Sequence, residues 1–280
     1  MKIKVLADNN TIIDRYYLGE PGLSFLVEAD GEKILFDMGY SDAFIKNAFK
    51  MGETLRDIDK VVFSHGHMDH TWGLDPYIRI LSECETEKLE YTKPSLVAHE
   101  ELFLTRRFET LNEIGSLVSE EKAARHFDMK LTNKPFKLTD KLWFLGETER
   151  KHDFEGKTAI GEIYRNGKWE PDVIVDDTAM AYETDEGIVV ITGCSHAGIC
   201  NIIEQAKKVT GEECVAGVIG GFHLMDGESA QVVKTGEYFR DNGIKEVYAC
   251  HCTCLAAKIK LSEYIRVNEV GSGMLIKDWK

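Results

Sequence analysis

The chain has 280 residues, 43% of them hydrophobic and 29% charged, with only 5 prolines. That is a globular composition, long enough for one large domain or two small ones. A formal net charge of −14 excludes a general electrostatic footprint for nucleic acid or an anionic membrane.

The first ten residues, MKIKVLADNN, pass from a short strand pattern into polar residues. The apolar run is too short for a signal peptide, and no 18-residue apolar span follows. A soluble, cytoplasmic protein is expected. Next come LSFLVEADGEKILFDMG, two apolar runs about Asp30-Gly31 that predict a hairpin, and SDAFIKNAFKMG, a helix with Ser41 as its candidate cap and Gly52 as its stop. DKVVFSH is a short β-branched strand. Residues 76–140 are charged and weak in strand signals. Their helical patterns, such as EELFLTRRFETLNEIG, predict a helical insertion or cap.

Strands then resume: KLWFLGE, a second hairpin in TAMAYETDEGIVVITG, and CVAGVIGG, KEVYAC and GMLIK. Helices AGICNIIEQAKKVTG, SAQVVKTGEYFRDNG and AAKIKLSEYI alternate with them. Two strand-rich halves, each with helices, predict an α/β protein built as an αββα sandwich of two mixed sheets, in one domain spanning 1–280.

The stretch VVFSHGHMDHTWGL places His65, His67, Asp69 and His70 in six positions directly after a strand. Neutral imidazoles and a carboxylate suit Zn²⁺, Mn²⁺ or Fe²⁺. Two such ions about 3.5–4 Å apart can activate a water and clamp an oxyanion. The 7 cysteines, an odd number, read as reduced thiols or metal-linked groups rather than a disulfide framework. If CHCTC is extended, alternation turns Cys250 and Cys252 away from whatever His251 faces.

This first motif resembles the signature of the metallo-β-lactamase superfamily, whose fold is the αββα sandwich. TGCSHAGICNI (192–202), GGFHL (220–224) and ACHCT (249–253) resemble one branch of it, named for 7,8-dihydropterin-6-methyl-4-(β-D-ribofuranosyl)aminobenzene 5′-phosphate synthase. The resemblance implies metal ligation by His65, His67, Asp69, His70 and His251, and two divalent ions, zinc first, with manganese or iron as alternatives. Cys194 stands where most members carry a bridging aspartate. His196 is therefore the expected ligand, with Cys194 either a thiolate ligand or a core residue. Asp176 and Asp177 lie near the place of a further histidine, as ligands or as support beneath them. His223 is a candidate for handling substrate or a proton, and Asp69 for orienting a nucleophile.

Arg106 and Arg107 are candidates for gripping a phosphorylated substrate. The expected activity is metal-dependent hydrolysis or transfer on a small anionic molecule, with no nucleic-acid or membrane partner. The alternatives are a phosphodiesterase or a lactone or ester hydrolase of the same fold, and behind these a di-iron redox protein or a metal-dependent sensor.

Overall fold

The computed structural model describes residues 1–277. One seven-stranded sheet runs, in spatial order, Leu275–Lys277, Lys2–Ala7, Ser24–Ala29, Glu32–Phe36, Lys60–Val62, Ser95–Ala98 and Asp128–Leu131. The other runs Arg266–Val267, Glu246–Cys250, Val215–Gly221, Gly187–Thr192, Ala179–Thr184, Leu142–Phe144 and Phe136–Lys137.

These strands are apolar on both sides because both sides are covered. In Ser24–Ala29, Phe25, Val27 and Ala29 join a core shared by the two sheets, while Leu26 joins a second core under the helices Ala43–Lys50 and Leu74–Glu87. In Gly187–Thr192, Val189 and Ile191 face the shared core. Ile188 and Val190 face a third core, under Ile199–Thr210, Ala230–Asp241 and Leu255–Leu261. Period-2 alternation between two buried faces thus produces the expected αββα layers. Both hairpins form; the first turns at Asp30 and Gly31, each with positive φ, which is what a tight two-residue turn requires.

Residues 76–140 are not a helical cap. After the helix Leu74–Glu87, Ser95–Ala98 pairs in parallel with Lys60–Val62, and Asp128–Leu131 pairs in parallel with Ser95–Ala98, so the segment completes the first sheet. The helix predicted over EELFLTRRFETLNEIG is also absent. That stretch is turns plus the short strand Arg106–Arg107, paired with Glu162–Arg165 in a three-stranded sheet closed by Lys168–Pro171. Partners distant in sequence override the local helical pattern there.

Parallel strands position the site. Glu32–Phe36 and Lys60–Val62 are parallel neighbours in one sheet; Gly187–Thr192, Val215–Gly221 and Glu246–Cys250 are parallel in the other. The segments that follow their C-terminal ends carry Asp37, the first histidine motif, Cys194, His196, His223 and His251. Open α/β sheets characteristically bind ligands at that end.

Candidate metal centre

The strand ends converge on one buried cluster. The ligating atoms of Asp69, His70, Cys194 and His251 all lie within 4.8 Å of one another, as do those of His65, Cys194 and His196. Cys194 is the common member, and its Sγ is 3.2 Å from His70 Nε2. His65 Nε2 lies 3.0 Å from His67 Nδ1, and the His196 ring stands 4.8 Å and 4.9 Å from those two rings. Asp69 Oδ2 is 3.2 Å from His251 Nε2.

Cys194 is buried, as the core alternative expected, and also sits in both donor groups, as the ligand alternative expected. Its thiol is buried, but among imidazoles rather than hydrocarbon. The two residues from Cys194 to His196 suffice to reach both groups because Ser195 between them takes φ 59°. Asp37, His223 and His251 also sit at positive φ. Non-glycine residues in that region cost stability and are concentrated where the surrounding structure imposes them.

Sequence reasoning missed the residues beneath the cluster. Asp37 Oδ2 lies 2.7 Å from His70 Nδ1 and accepts the Ser64 hydroxyl at 2.6 Å; Ser64 Oγ in turn lies 2.9 Å from His65 Nδ1. Both imidazoles are thereby fixed with Nε2 toward the cluster. Gly193 has no Cβ because one would meet Ser64 Oγ at 2.1 Å. On the other side Asp8 Oδ1 accepts the His251 N–H at 2.8 Å, and Asn9 Oδ1 lies 3.2 Å from His251 Nδ1. Asp8 and Asp37 each end a strand, the same placement that marks the histidine motif. That placement was their one sequence signal.

Asp176 and Asp177 are support, not members of the cluster. Asp176 Oδ2 accepts the Gly66 N–H at 2.8 Å and Asp177 Oδ2 accepts the Ala197 N–H at 2.7 Å, each holding a ligand loop. Arg106 is corrected more sharply. It is fully buried, its guanidinium 2.9 Å from Asp172 and 2.8 Å from Asp176, and a Cβ on Gly66 would strike its Nη1 at 2.1 Å. A side chain so enclosed cannot also grip a substrate. Arg107 is half exposed, paired with Glu162 and stacked on Trp169 at 4.2 Å.

The electrostatics are those of a crowded donor set. Burial pushes His65 and His196 well below the ordinary histidine value, and His67 to about 4. Burial would lower His70 too, but Asp69 and Asp37 beside it outweigh that and raise it to about 9. A proton on His70 and a metal ion would compete for the same nitrogen. Burial opposes ionisation of Asp69, yet His70 and His251 hold its carboxyl well below the usual range.

The residues fit a metal. His67 Nε2 and both ring nitrogens of His196 are buried with no hydrogen-bond partner. Buried polar atoms are rarely left so, and neutral imidazole is a preferred ligand of borderline divalent ions.

Two cavities open beside the cluster. One of about 650 Å³ is lined by His251, Cys252, Asn9 and Lys258; one of about 260 Å³ is lined by His196, His223, Gly156 and Ser229. Met225 borders both. A larger cavity of about 840 Å³, lined by Tyr40, Trp72, Lys122 and Arg125, contains no residue of the cluster. Among the described residues, no helix is long and apolar enough to cross a membrane.

The family model of the metallo-beta-lactamase superfamily matches residues 18–207. The chain is 30% identical to the 7,8-dihydropterin-6-methyl-4-(beta-D-ribofuranosyl)-aminobenzene-5'-phosphate synthase of Methanocaldococcus jannaschii, over 99% of this chain and 96% of that one. It superposes on the crystal structure of Tm1679, described as a metal-dependent hydrolase of the beta-lactamase superfamily. The TM-score is 0.82, with 27% identity and 99% of each chain covered. The zinc-bound PqqB of Methylobacterium extorquens, 11% identical with a TM-score of 0.54 over 99% of this chain and all of that one, shares the fold alone.

Proposed function

Because the chain belongs to the metallo-β-lactamase superfamily and is a metal-dependent enzyme of that fold, we propose that its cluster holds two divalent ions, zinc first, and acts on a small phosphorylated substrate. The observation that carries this is the cluster itself: five sequence-predicted ligands gather round one buried sulfur, His67 stands against two of them, and imidazole nitrogens are left unpartnered.

His65, His67 and His196 would hold one ion; Asp69, His70 and His251 would hold the other. Cys194, common to both groups, would bridge them. Such ions supply Lewis-acid polarisation of a phosphoryl or carbonyl oxygen and lower the pKa of a water. Asp69, about one-quarter exposed, orients the attacking group from the cluster's open side. His223, its ring 4.4 Å from that of His196, reaches the smaller cavity and serves a proton or the substrate there.

The cationic contact passes from the arginines to Lys258. It lines the larger of the two adjoining cavities. The relative's name, a synthase whose product carries a ribofuranosyl aminobenzene phosphate, supports transfer onto an aromatic acceptor. The likeness to a protein described as a hydrolase supports attack by water. The test offers the metal-loaded chain a phosphorylated ribose donor, with and without an aminobenzene acceptor, beside simple phosphodiesters and carboxylic esters. Products are read by mass spectrometry. Coupled product supports transfer, and phosphodiester cleavage alone supports hydrolysis. No metal-dependent conversion of any phosphorylated compound overturns the reading.

A further inference from the structure

The sequence CHCTC, read as extended, sends Cys252 away from the site. The structure does the opposite. His251 takes φ 51° and ends the strand, so alternation stops there. Cys250 points into the core between the sheets, and the sulfur of Cys252 turns back under the cluster. It accepts the His223 N–H at 3.2 Å, and its thiol lies 3.4 Å from the Cys194 carbonyl oxygen. The Sγ atoms of Cys194 and Cys252 and a ring nitrogen of His223 all lie within 4.8 Å of one another.

The glycine pair of GGFHL makes room for this. A Cβ on Gly221 would meet Cys252 Sγ at 2.6 Å, and one on Gly220 would meet the Thr192 carbonyl oxygen at 2.1 Å. With both side chains missing, the end of Val215–Gly221 leaves room between its two parallel neighbours, and the two sulfurs lie within 4.8 Å of each other there. Cys252 belongs to neither histidine group. Among the described residues, its one donor set is the one it shares with Cys194 and His223.

We propose that Cys194 and Cys252 form a redox-modifiable pair at the edge of the metal centre, closed to a disulfide by a peroxide. Cys252 is half-buried and lines the cavity of about 650 Å³ whereas Cys194 is buried, so of the pair it is the thiol a small oxidant reaches first. Its thiolate sulfur attacks one peroxide oxygen. The O–O bond breaks, hydroxide leaves and takes up the proton the thiol had released to become water, and Cys252 becomes a sulfenic acid. The Cys194 thiolate then attacks that sulfur. An S–S bond forms, the S–O bond breaks, and hydroxide leaves to be protonated. Overall two thiols and one hydrogen peroxide give one disulfide and two waters. The two Sγ atoms lie within 4.8 Å of each other, and a disulfide brings them to about 2.05 Å.

The consequence rests on the metal-centre reading: pairing withdraws the one sulfur common to both metal groups, so oxidation weakens ion binding. Reduction by a dithiol restores it.

The experiment treats the intact zinc-loaded chain with hydrogen peroxide, blocks free thiols by alkylation, and maps digested peptides by mass spectrometry. Released zinc is followed with a chromophoric chelator. The expected result is a Cys194–Cys252 cross-link, reversible by dithiothreitol, appearing together with released zinc. Cys252→Ser should bind zinc as the parent does and form no cross-link at Cys194. The proposal is overturned if Cys194 stays alkylatable while Cys252 proceeds to sulfinic acid, or if cross-links form only at the exposed Cys214. A reversible cross-link in a chain that binds no zinc would uphold the pair and overturn the metal centre. Bound zinc with no cross-link would uphold the centre and overturn the pair.

Discussion

The Asp37 carboxylate lies 2.7 Å from His70 Nδ1, and neither side chain has any solvent exposure. The same carboxylate holds Ser64, which faces His65, so one acidic side chain orients two imidazoles of the cluster. Asp37→Asn keeps the size but exchanges an acceptor oxygen for a donor. The expected loss is ~10–100-fold in metal affinity, the range typical of such supporting carboxylates. Competition against a chromophoric chelator measures it, with circular dichroism to check the fold. Parental affinity in a folded variant would remove Asp37 from the account.

Arg106 should matter to stability rather than to substrate. Removing one partner of a buried, hydrogen-bonded charge set leaves the others unpaired and typically costs ~3–5 kcal/mol. Arg106→Met should therefore shift the urea midpoint strongly, through the stranded carboxylates of Asp172 and Asp176. A stable variant with a raised KM confined to phosphorylated substrates would restore the role first expected of it.

Lys258 inherits that role. A charge-assisted contact to phosphate is worth ~1.5–3 kcal/mol, so Lys258→Ala should raise KM for a phosphorylated substrate ~10–150-fold. A small uncharged ester should be processed as before. Equal effects on both substrates would indicate damage to the centre instead.

Glu155 gives a pH dependence independent of the metal ligands. It is almost fully buried beside the start of the helix Ile199–Thr210, where its Oε1 accepts the Asn201 N–H. Burial raises its carboxyl from 4.5 to about 7. Between those values the folded chain keeps a proton that the unfolded chain has lost. Stability therefore falls as pH rises from about 4.5 to about 7, by ~3 kcal/mol if the whole shift is realised, and this contribution is level above that window. Urea titrations across the window should show the slope, and Glu155→Gln should reduce it. An unchanged slope in that variant would assign it to other groups.

The layers, both hairpins and the gathering of His65, His67, Asp69 and His70 were legible because each depends on local pattern: alternation, turn glycines, or histidines at a strand end; His196 and His251 were placed only by resemblance to the family's motifs. What was not legible depends on partners far away in the chain. Arg106 reads as a helical surface residue until Asp172 and Asp176 draw it inside. Ser95–Ala98 and Asp128–Leu131 are short strands recognised only by the sheet edge they extend. Cys252 was misplaced for a different reason. Alternation holds only while the backbone is extended, and the left-handed turn at His251, which no local pattern announced, reverses the direction of the next side chain.

Metal content decides whether these donors make a two-ion centre. The chain is stripped with a chelator, reconstituted with excess zinc, freed of unbound metal, and assayed by elemental analysis. The account predicts two equivalents per chain, with loss of about one in His196→Ala and of about one in His251→Ala. One equivalent or less in the folded parent chain would contradict it.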